Sequence, residues 1–506
     1  MKKLLLDPNS RPEVTYVERI AMRREIARER LADRDFFEER AEVLSQWATG
    51  KEVNLPEAID YLKNLSDERS FLKVVGDIHN SGKTVNFPRG GTPLLEDQIA
   101  LNRKMVEVGV PLIPITTDSY TRNGDFKTAQ RGLEECIRGG LRRLNGYPLV
   151  NHGVTNTRRV LEANEAAYCG RFNGCDNRLL TEIAIASGMT SVLLDPFEVF
   201  GSYTKAATIE ECIRNYQYSY RLAGHYTEAG MPITPDLIGW LPNGPFPYSV
   251  GLVCQIAASI IAAEQGVRSS TINVQSQGNL EQDVAGIRSA RNLLRQYLDE
   301  LGYIDFVIPG VFAAPVPIFP SPEREHTALT YMVYGSMIGA LGRAEAVVAR
   351  TIDEAAGIPT LNAHAVTYES TNWIFSVIRQ QNIKLENESI SVEEDMLKKE
   401  TKALMDAVLN LGDGNVALGF AKAVARGIID SPMSPNINSK GAVLGIRDAN
   451  GAARYLEFGN LPFSQQIKNF HIAKVRERGK LERRGMNYLV SIEDFWALSK
   501  GRILGQ

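Results

Sequence analysis

Three arginines occupy similar positions in this 506-residue sequence. Arg89 follows the short apolar run Thr84–Phe87, in Pro88-Arg89-Gly90-Gly91. Arg122 follows the run Pro111–Thr116, after Thr117 and Asp118, and Arg171 ends the run Ala167–Arg171. Each stands at or just past the end of a candidate β-strand. A buried guanidinium without a counter-charge is costly, so arginines that converge on one cavity require anions. Two parallel N–H donors match a carboxylate and fix its orientation as well as its charge. Three such groups would hold both ends of a small dicarboxylate. The competing reading pairs each arginine with a nearby Asp or Glu in an ordinary structural ion pair.

Other chemical signatures are weaker. Asp77-Ile78-His79-Asn80-Ser81-Gly82 matches D-x-H-x-x-G, the pattern in which a histidine becomes the lower axial ligand of cobalt. That motif needs a strand before it and a helix after it. Here Glu68–Ile78 reads as a helix, with Phe71, Leu72, Val75 and Ile78 on one face, and Thr84–Pro88 reads as a strand. A helix-to-strand loop turning at Gly82 is the expected structure, and His79 is not expected to bind cobalt. The six histidines show no HExxH or other metal-ligand spacing, so no metal site is expected. Gly-x-Ser-x-Gly and Walker A patterns are absent, and Asp448-Ala449-Asn450-Gly451 lacks the downstream glutamate of a calcium loop.

The elements that must position the arginines appear from about residue 84 onward. Short apolar runs alternate there with longer amphipathic stretches such as Gln98–Val108, Ala129–Leu144 and Ile209–Ala229. Nine runs are candidate strands: the three above plus Tyr147–Asn151, Thr190–Leu194, Pro232–Ile238, Thr271–Gln275, Tyr303–Ile308 and Ala346–Arg350. Strand–helix alternation implies a parallel sheet with helical crossovers. The expected fold is an α/β (β/α)8 TIM-type barrel, with one of the nine runs outside it and ligands at the C-terminal strand ends. The expected division is an N-terminal helical extension over 1–83, the barrel over 84–385, and a smaller C-terminal α+β region over 386–506. Residues 11–45, dense in Arg and Glu, read as a solvated helix. Ser391–Gly412 reads as a charged helix, and Ser431–Gly459 as loops and short strands.

Composition excludes several classes. Hydrophobic residues at 44% can build a large core, and a net charge of −3 argues against nucleic-acid or membrane-surface binding. Met1–Leu6 is too short for a signal sequence, and Val250–Ala263 falls short of a membrane span and reads as a buried helix. Five irregularly spaced cysteines without a CxxC pair fit reduced thiols in a cytoplasmic protein.

Seven stretches resemble the large (epsilon) subunit of glutamate mutase. They are Gln46-Trp47-Ala48-Thr49-Gly50-Lys51-Glu52-Val53, Pro88-Arg89-Gly90-Gly91, Asp118-Ser119-Tyr120-Thr121-Arg122, Leu144-Asn145-Gly146-Tyr147-Pro148, Asp176-Asn177-Arg178-Leu179-Leu180, Ala262-Ala263-Glu264-Gln265-Gly266-Val267 and Arg454-Tyr455-Leu456-Glu457-Phe458-Gly459-Asn460. Their order is kept from about residue 36 to the C-terminus. The resemblance implies an adenosylcobalamin-dependent carbon-skeleton mutase. It also implies a separate small, sigma-type subunit that carries the true D-x-H-x-x-G motif, in a heterotetramer built on a homodimer of this chain. Cobalt–carbon homolysis would give a 5′-deoxyadenosyl radical that takes a hydrogen from the substrate, which is glutamate in the family's namesake reaction. Arg89, Arg122 and Arg171 match the family's substrate-carboxylate arginines, and Tyr203 matches a substrate-site tyrosine with a catalytic role. Gly91, Thr116, Asn145, Ile238, Val316, Arg350, Glu354 and Trp496 match cofactor-lining positions, with Glu354 on the ribose hydroxyls. Arg350 replaces a lysine and Trp496 a phenylalanine.

The departures fall in one loop. Leu193 stands where the family has a glutamate that contacts the substrate's ammonium, and Val199 where it has a tyrosine. Leucine removes that ammonium's partner, at a cost of several kcal/mol for an unpaired buried charge. Three outcomes are open: the substrate is a related dicarboxylate without that contact, Asp195 or Glu198 supplies the missing carboxylate, or the counterpart lies a residue or two away. A catalytically silent homologue that serves as a binding partner of a cobalamin-binding subunit is the alternative of another class.

Overall fold

The computed structural model describes residues 25–139, 144–241, 244–314 and 325–505. Eight parallel strands form one sheet: β1 Val85–Pro88, β2 Leu112–Thr116, β3 Ala167–Arg171, β4 Ser191–Leu193, β5 Thr234–Leu237, β6 Thr271–Gln275, β7 Val311–Ala314 and β8 Ala346–Ala349. The sheet runs from β2 through β3 to β8 and on to β1, and Thr116 N donates to Gly90 O at 2.9 Å, joining its two edges. Gly91 makes that approach possible, because a Cβ there would stand 2.0 Å from Thr116 O. The fold is therefore the expected (β/α)8 barrel.

Two of the nine expected strands are corrected. Tyr147–Asn151 contributes one bridge, Thr117 to Tyr147, and then enters the helix Leu149–Glu162. Leu149 and Val150 form a buried first turn that breaks at Gly153 (φ 72°), and Val154, Thr157, Val160 and Leu161 are then buried at helical spacing, so the short apolar run leads into a helix. Tyr303–Ile308 gives only the bridge between Ser269 and Val307. The barrel strand is β7, a four-residue run of small and apolar residues between Gly310 and Pro315 that is not among the nine candidates.

The helix Phe71–Ser81 closes the N-terminal end of the barrel. Ser70 caps its start, and Gly82, at φ 62°, ends it in the left-handed conformation. Its Phe71, Val75 and Ile78 pack against Phe87, Leu112, Ala167, Cys169, Phe312 and Val348. Phe71, Phe87 and Phe312 meet edge to face with centroids 5.2–6.4 Å apart. The His79 ring Nδ1 lies 2.7 Å from Glu345, which precedes β8. The D-x-H-x-x-G pattern thus sits at the barrel end opposite the strand C-termini.

The charged N-terminal segment is a correction of another kind. Helix Asp33–Ser45 docks on the barrel, burying Phe36, Glu39 and Val43. Glu39 bridges Arg178 (2.5 Å) and Arg214 (2.7 Å), and Arg40 pairs with Glu182 at 2.8 Å. The charges read as solvated find partners more than 130 residues away. Residues 1–24 lie outside the described residues. Helix Glu388–Leu411 carries Glu400, which accepts from Ser249 and lies 2.8 Å from His471 Nε2. The antiparallel pair β9 Val443–Arg447 and β10 Ala453–Phe458 packs beside it, with Arg454 paired to Glu393 and Asp448. Val250–Ala263 lies in the buried helix Ser249–Glu264, and among the described residues no helix is long and apolar enough to cross a membrane.

Candidate active site

The C-terminal strand ends gather the arginines. Arg171 closes β3 in the same layer as Thr116 on β2, its register partner. On β4 and β5 that layer continues as Leu193 opposite Asp236. Arg171 Nη1 reaches Asp236 Oδ2 at 3.2 Å, and its guanidinium lies 5.2 Å from the Phe87 ring centroid. Asp236 Oδ1 accepts from Thr271 Oγ1 at 2.9 Å and Asn273 Nδ2 at 2.8 Å. Burial raises the Asp236 pKa, and Arg171 opposes that shift.

Arg122 is aimed by a short helix, Ser119–Arg122. Asp118 caps it through Tyr120 N (2.9 Å), Thr121 N (3.1 Å) and the Thr121 hydroxyl, and Asn145 Oδ1 accepts from Ser119 N at 2.9 Å. A Cβ at Gly174 would stand 2.0 Å from Arg122 O, so the loop after β3 closes tightly on this helix. Desolvation, then repulsion from Arg89, lowers the Arg122 pKa against Tyr203, Asp118 and Glu198. Arg89 is desolvated too, but Glu354, Tyr203 and Glu198 more than offset this and raise its pKa. Its Nη1 lies 3.7 Å from Glu354 Oε1. Arg350 follows β8, and burial together with Arg89 and Arg171 brings it down to about 10, against the pull of Glu354. Tyr203 is 41% exposed at the mouth, within electrostatic reach of Glu198, Arg89, Arg122 and Arg350. Desolvation and Glu198 together raise its phenol pKa.

Buried polar atoms without a hydrogen-bond partner collect here: Thr116 Oγ1, Thr117 Oγ1, Arg122 Nε, Arg171 Nη1 and Glu354 Oε2. Buried polar groups are ordinarily satisfied, so a cluster of them at one set of strand ends fits a polar ligand. Leu193, at the end of β4, and Val199, after the turn that follows it, are buried apolar residues, 2% and 1% exposed. Ile238 lines a pocket with Trp240, Phe246, Gln275 and Gln277. Trp496 is exposed on helix Tyr488–Ser499, whose Leu498 packs by Gly278 in the loop after β6. Val316 lies outside the described residues.

Another cleft, of about 660 Å³, opens at the N-terminal end between His79, Lys83, Arg288, Arg291, Arg343 and Arg379. Its inner cations serve helix and loop carbonyls: Arg288 donates to Leu341 O (3.1 Å), and Arg291 to Ile308 O and to Glu345 (2.5 Å).

Residues 65–506 match the model of the methylaspartate mutase E chain (MutE). The chain belongs to this family. It is 38% identical to the glutamate mutase epsilon subunit of Desulfitobacterium hafniense, over 93% of this chain and 97% of that one. The epsilon subunits of Treponema denticola and Yersinia enterocolitica are 36% and 33% identical, over 94% and 95% of this chain and 98% and 100% of theirs. Against this MutE background, residue-type reasoning about strand ends identified the arginines. It passed over Asp236, which lies inside the candidate strand Pro232–Ile238 and not past its end. It also left Glu198 as one of two alternatives for the missing carboxylate. A polar residue inside an otherwise apolar strand signal was the available clue to Asp236.

Asp195 and Glu198 now separate. Asp195 Oδ1 accepts from Phe197 N and Glu198 N, both at 3.0 Å. Its Oδ2 accepts from Ile238 N and Gly239 N at 2.9 and 2.6 Å. Four backbone donors occupy it. Glu198 is 1% exposed, and among the described residues the single hydrogen bond to its carboxylate comes from Asn173 Nδ2. Burial, then Asp195, pushes the Glu198 pKa well above the usual range against Arg171 and Arg89.

Proposed function

We propose that this chain is the substrate-holding subunit of an adenosylcobalamin-dependent carbon-skeleton mutase acting on a small, glutamate-like dicarboxylate. It belongs to a mutase family, and its activity is that of an isomerase. The observation that carries the reading is a set of buried donors that make no hydrogen bond among the described residues, Arg122 Nε and Arg171 Nη1 (the latter only ion-paired with Asp236), beside Arg89 at one barrel mouth. A carboxylate placed among these arginines would relieve the repulsion that depresses Arg122 and Arg350. The three arginines would hold both ends of the substrate in a fixed pose, and guanidinium groups do not readily give up hydrogen atoms. Tyr203 would close the mouth side and donate its phenolic proton to a substrate oxygen.

The residues fit the cofactor in one testable respect. Glu354 Oε2 is a buried acceptor without a donor, suited to a ribose hydroxyl, and Thr116 Oγ1 lies in the same set of unsatisfied atoms. When bound, adenosylcobalamin would supply the carbon radical that abstracts the substrate hydrogen. Gly91, Asn145, Ile238, Arg350 and Trp496 would complete that side. A small cobalamin-binding subunit would cover the mouth and exclude water, in a cytoplasmic assembly of two large and two small chains.

The apolar side chain of Leu193 favours a second substrate reading, a dicarboxylate without an amino group. The test mixes the chain with a cobalamin-binding small subunit and adenosylcobalamin and screens dicarboxylates by electron paramagnetic resonance. A substrate-triggered cob(II)alamin–radical signal supports the mutase. Silence with every dicarboxylate while the cofactor is bound supports a silent assembly partner.

A further inference from the structure

The carboxylates of the mouth are not equivalent. Asp236 is paired with Arg171, Glu354 stands near Arg89, and Asp195 is filled by four backbone N–H groups. Glu198 has a single hydrogen bond, and no cation of the described residues pairs with it within 4.0 Å. It is nevertheless fully inside, on the turn Pro196–Glu198 that leads to Tyr203. A buried carboxylate without a counter-ion is as costly as a buried lone arginine, and a ligand cation removes that cost. The groups that face it are Arg89 after β1, Arg122 and Asn173 from the loops beyond β2 and β3, and Arg171 at the end of β3. Asp195, Asp236, Tyr203 and Tyr216 complete its surroundings. All three arginines stand ready for carboxylates, so anions on the arginines and a cation on Glu198 would pair every charge of a zwitterion.

We infer that Glu198 is a specificity-determining residue that selects a substrate carrying a positively charged amino group beside its two carboxylates, while Leu193 and Val199 contribute only apolar wall. The inference rests on the dicarboxylate-mutase reading above. It assigns to the turn after β4 a task that the strand end at Leu193 cannot perform. The alternative role for Glu198 is a neutral acid donating a hydrogen bond to a substrate oxygen. A glutamine would largely preserve that role, whereas it cannot neutralise an ammonium.

The experiment measures dissociation constants for L-glutamate and for glutarate, its counterpart without the amino group, by titration calorimetry. The sample is the chain assembled with its small subunit and adenosylcobalamin. Wild type should bind L-glutamate at least about tenfold more tightly than glutarate, as expected for one satisfied charge pair. Glu198→Gln should lose about a hundredfold in L-glutamate affinity and under about threefold for glutarate. Glu198→Asp, which keeps the charge, should keep the preference. Equal losses for both probes in both variants would make Glu198 a structural group and overturn the inference. Wild-type preference for glutarate, or full L-glutamate affinity in Glu198→Gln, would overturn it while leaving the dicarboxylate reading intact. Failure of wild type to bind either probe would overturn both.

Discussion

Arg171 reaches across the β4 position of Leu193 to place its Nη1 3.2 Å from Oδ2 of Asp236 on β5. Both atoms are buried, and neither has hydrogen-bond geometry with any partner. The pair neutralises charge without saturating the guanidinium, which leaves a donor for a ligand while the apo cavity stays tolerable. A fully saturated pair would remove Arg171 from substrate binding.

Leucine at 193 suits that arrangement. Leu193→Glu would set a second carboxylate beside Asp236, close to Asp195 and Glu198, in a site that already raises carboxylate pKa values. The variant should lose about 2–4 kcal/mol of stability, the cost of an added unpaired buried charge. Urea denaturation checks the loss. Calorimetry should show no gain in L-glutamate affinity, and a tenfold gain would move the amino-group contact from residue 198 to residue 193.

Glu198 also has a pH signature. Its folded-state pKa lies well above the ordinary value of 4.5, so between these limits the folded chain binds more protons than the unfolded chain. Stability from this group is complete below about pH 4.5 and is lost as pH rises through the folded pKa. Asp195, Asp236 and Asp283 shift in the same direction, so the comparison must be between variants. Glu198→Gln should be more stable than wild type, by a margin that widens with pH. Thermal melts across pH 5–8.5 read that margin, and a constant or shrinking difference would show that Glu198 is ionised in the empty site.

Arg122 offers a cleaner test of the clamp. Among the described residues its Nε has no hydrogen-bond acceptor, so its geometry is available to a ligand. Arg122→Lys keeps the charge but loses the paired donors. Affinity for glutarate should fall about 10–100-fold with little change in melting temperature. A large melting-temperature drop with unchanged affinity would make Arg122 structural.

His79 should be inert toward cobalt. It lies at the closed end of the barrel beside Glu345, with its side chain half-exposed. His79→Ala should change stability by about 1 kcal/mol or less and leave the cobalamin absorption spectrum of the complex unaltered. A spectral shift would place this histidine near the metal after all.

Much of this site is legible in the sequence because strand ends of a barrel collect polar residues of recognisable type. Arg89, Arg122 and Arg171 follow apolar runs, and their chemistry is specific. The limits have physical causes. Leu149 and Val150 form a short helical turn that breaks at Gly153, and the helical period begins only beyond it, from Val154 to Leu161. β7 is four residues long and sits between a glycine and a proline. Glu39 looks solvated because Arg178 and Arg214 become its partners only on folding. Glu198, in Asp195-Pro196-Phe197-Glu198, resembles the acidic first turn of a surface helix. Its burial follows from packing against helix Ile209–Glu228, beneath Tyr216 and Tyr220, which no local pattern encodes.

The most direct test of the arginine-lined mouth as a radical mutase site is electron paramagnetic resonance of the reconstituted complex with adenosylcobalamin, frozen during turnover with L-glutamate and with glutarate. A coupled cob(II)alamin–organic radical signal should appear with a dicarboxylate, be stronger with L-glutamate, and vanish in Arg122→Ala. Cofactor bound at full occupancy with no signal from any dicarboxylate, or a signal indifferent to Arg122, would contradict it.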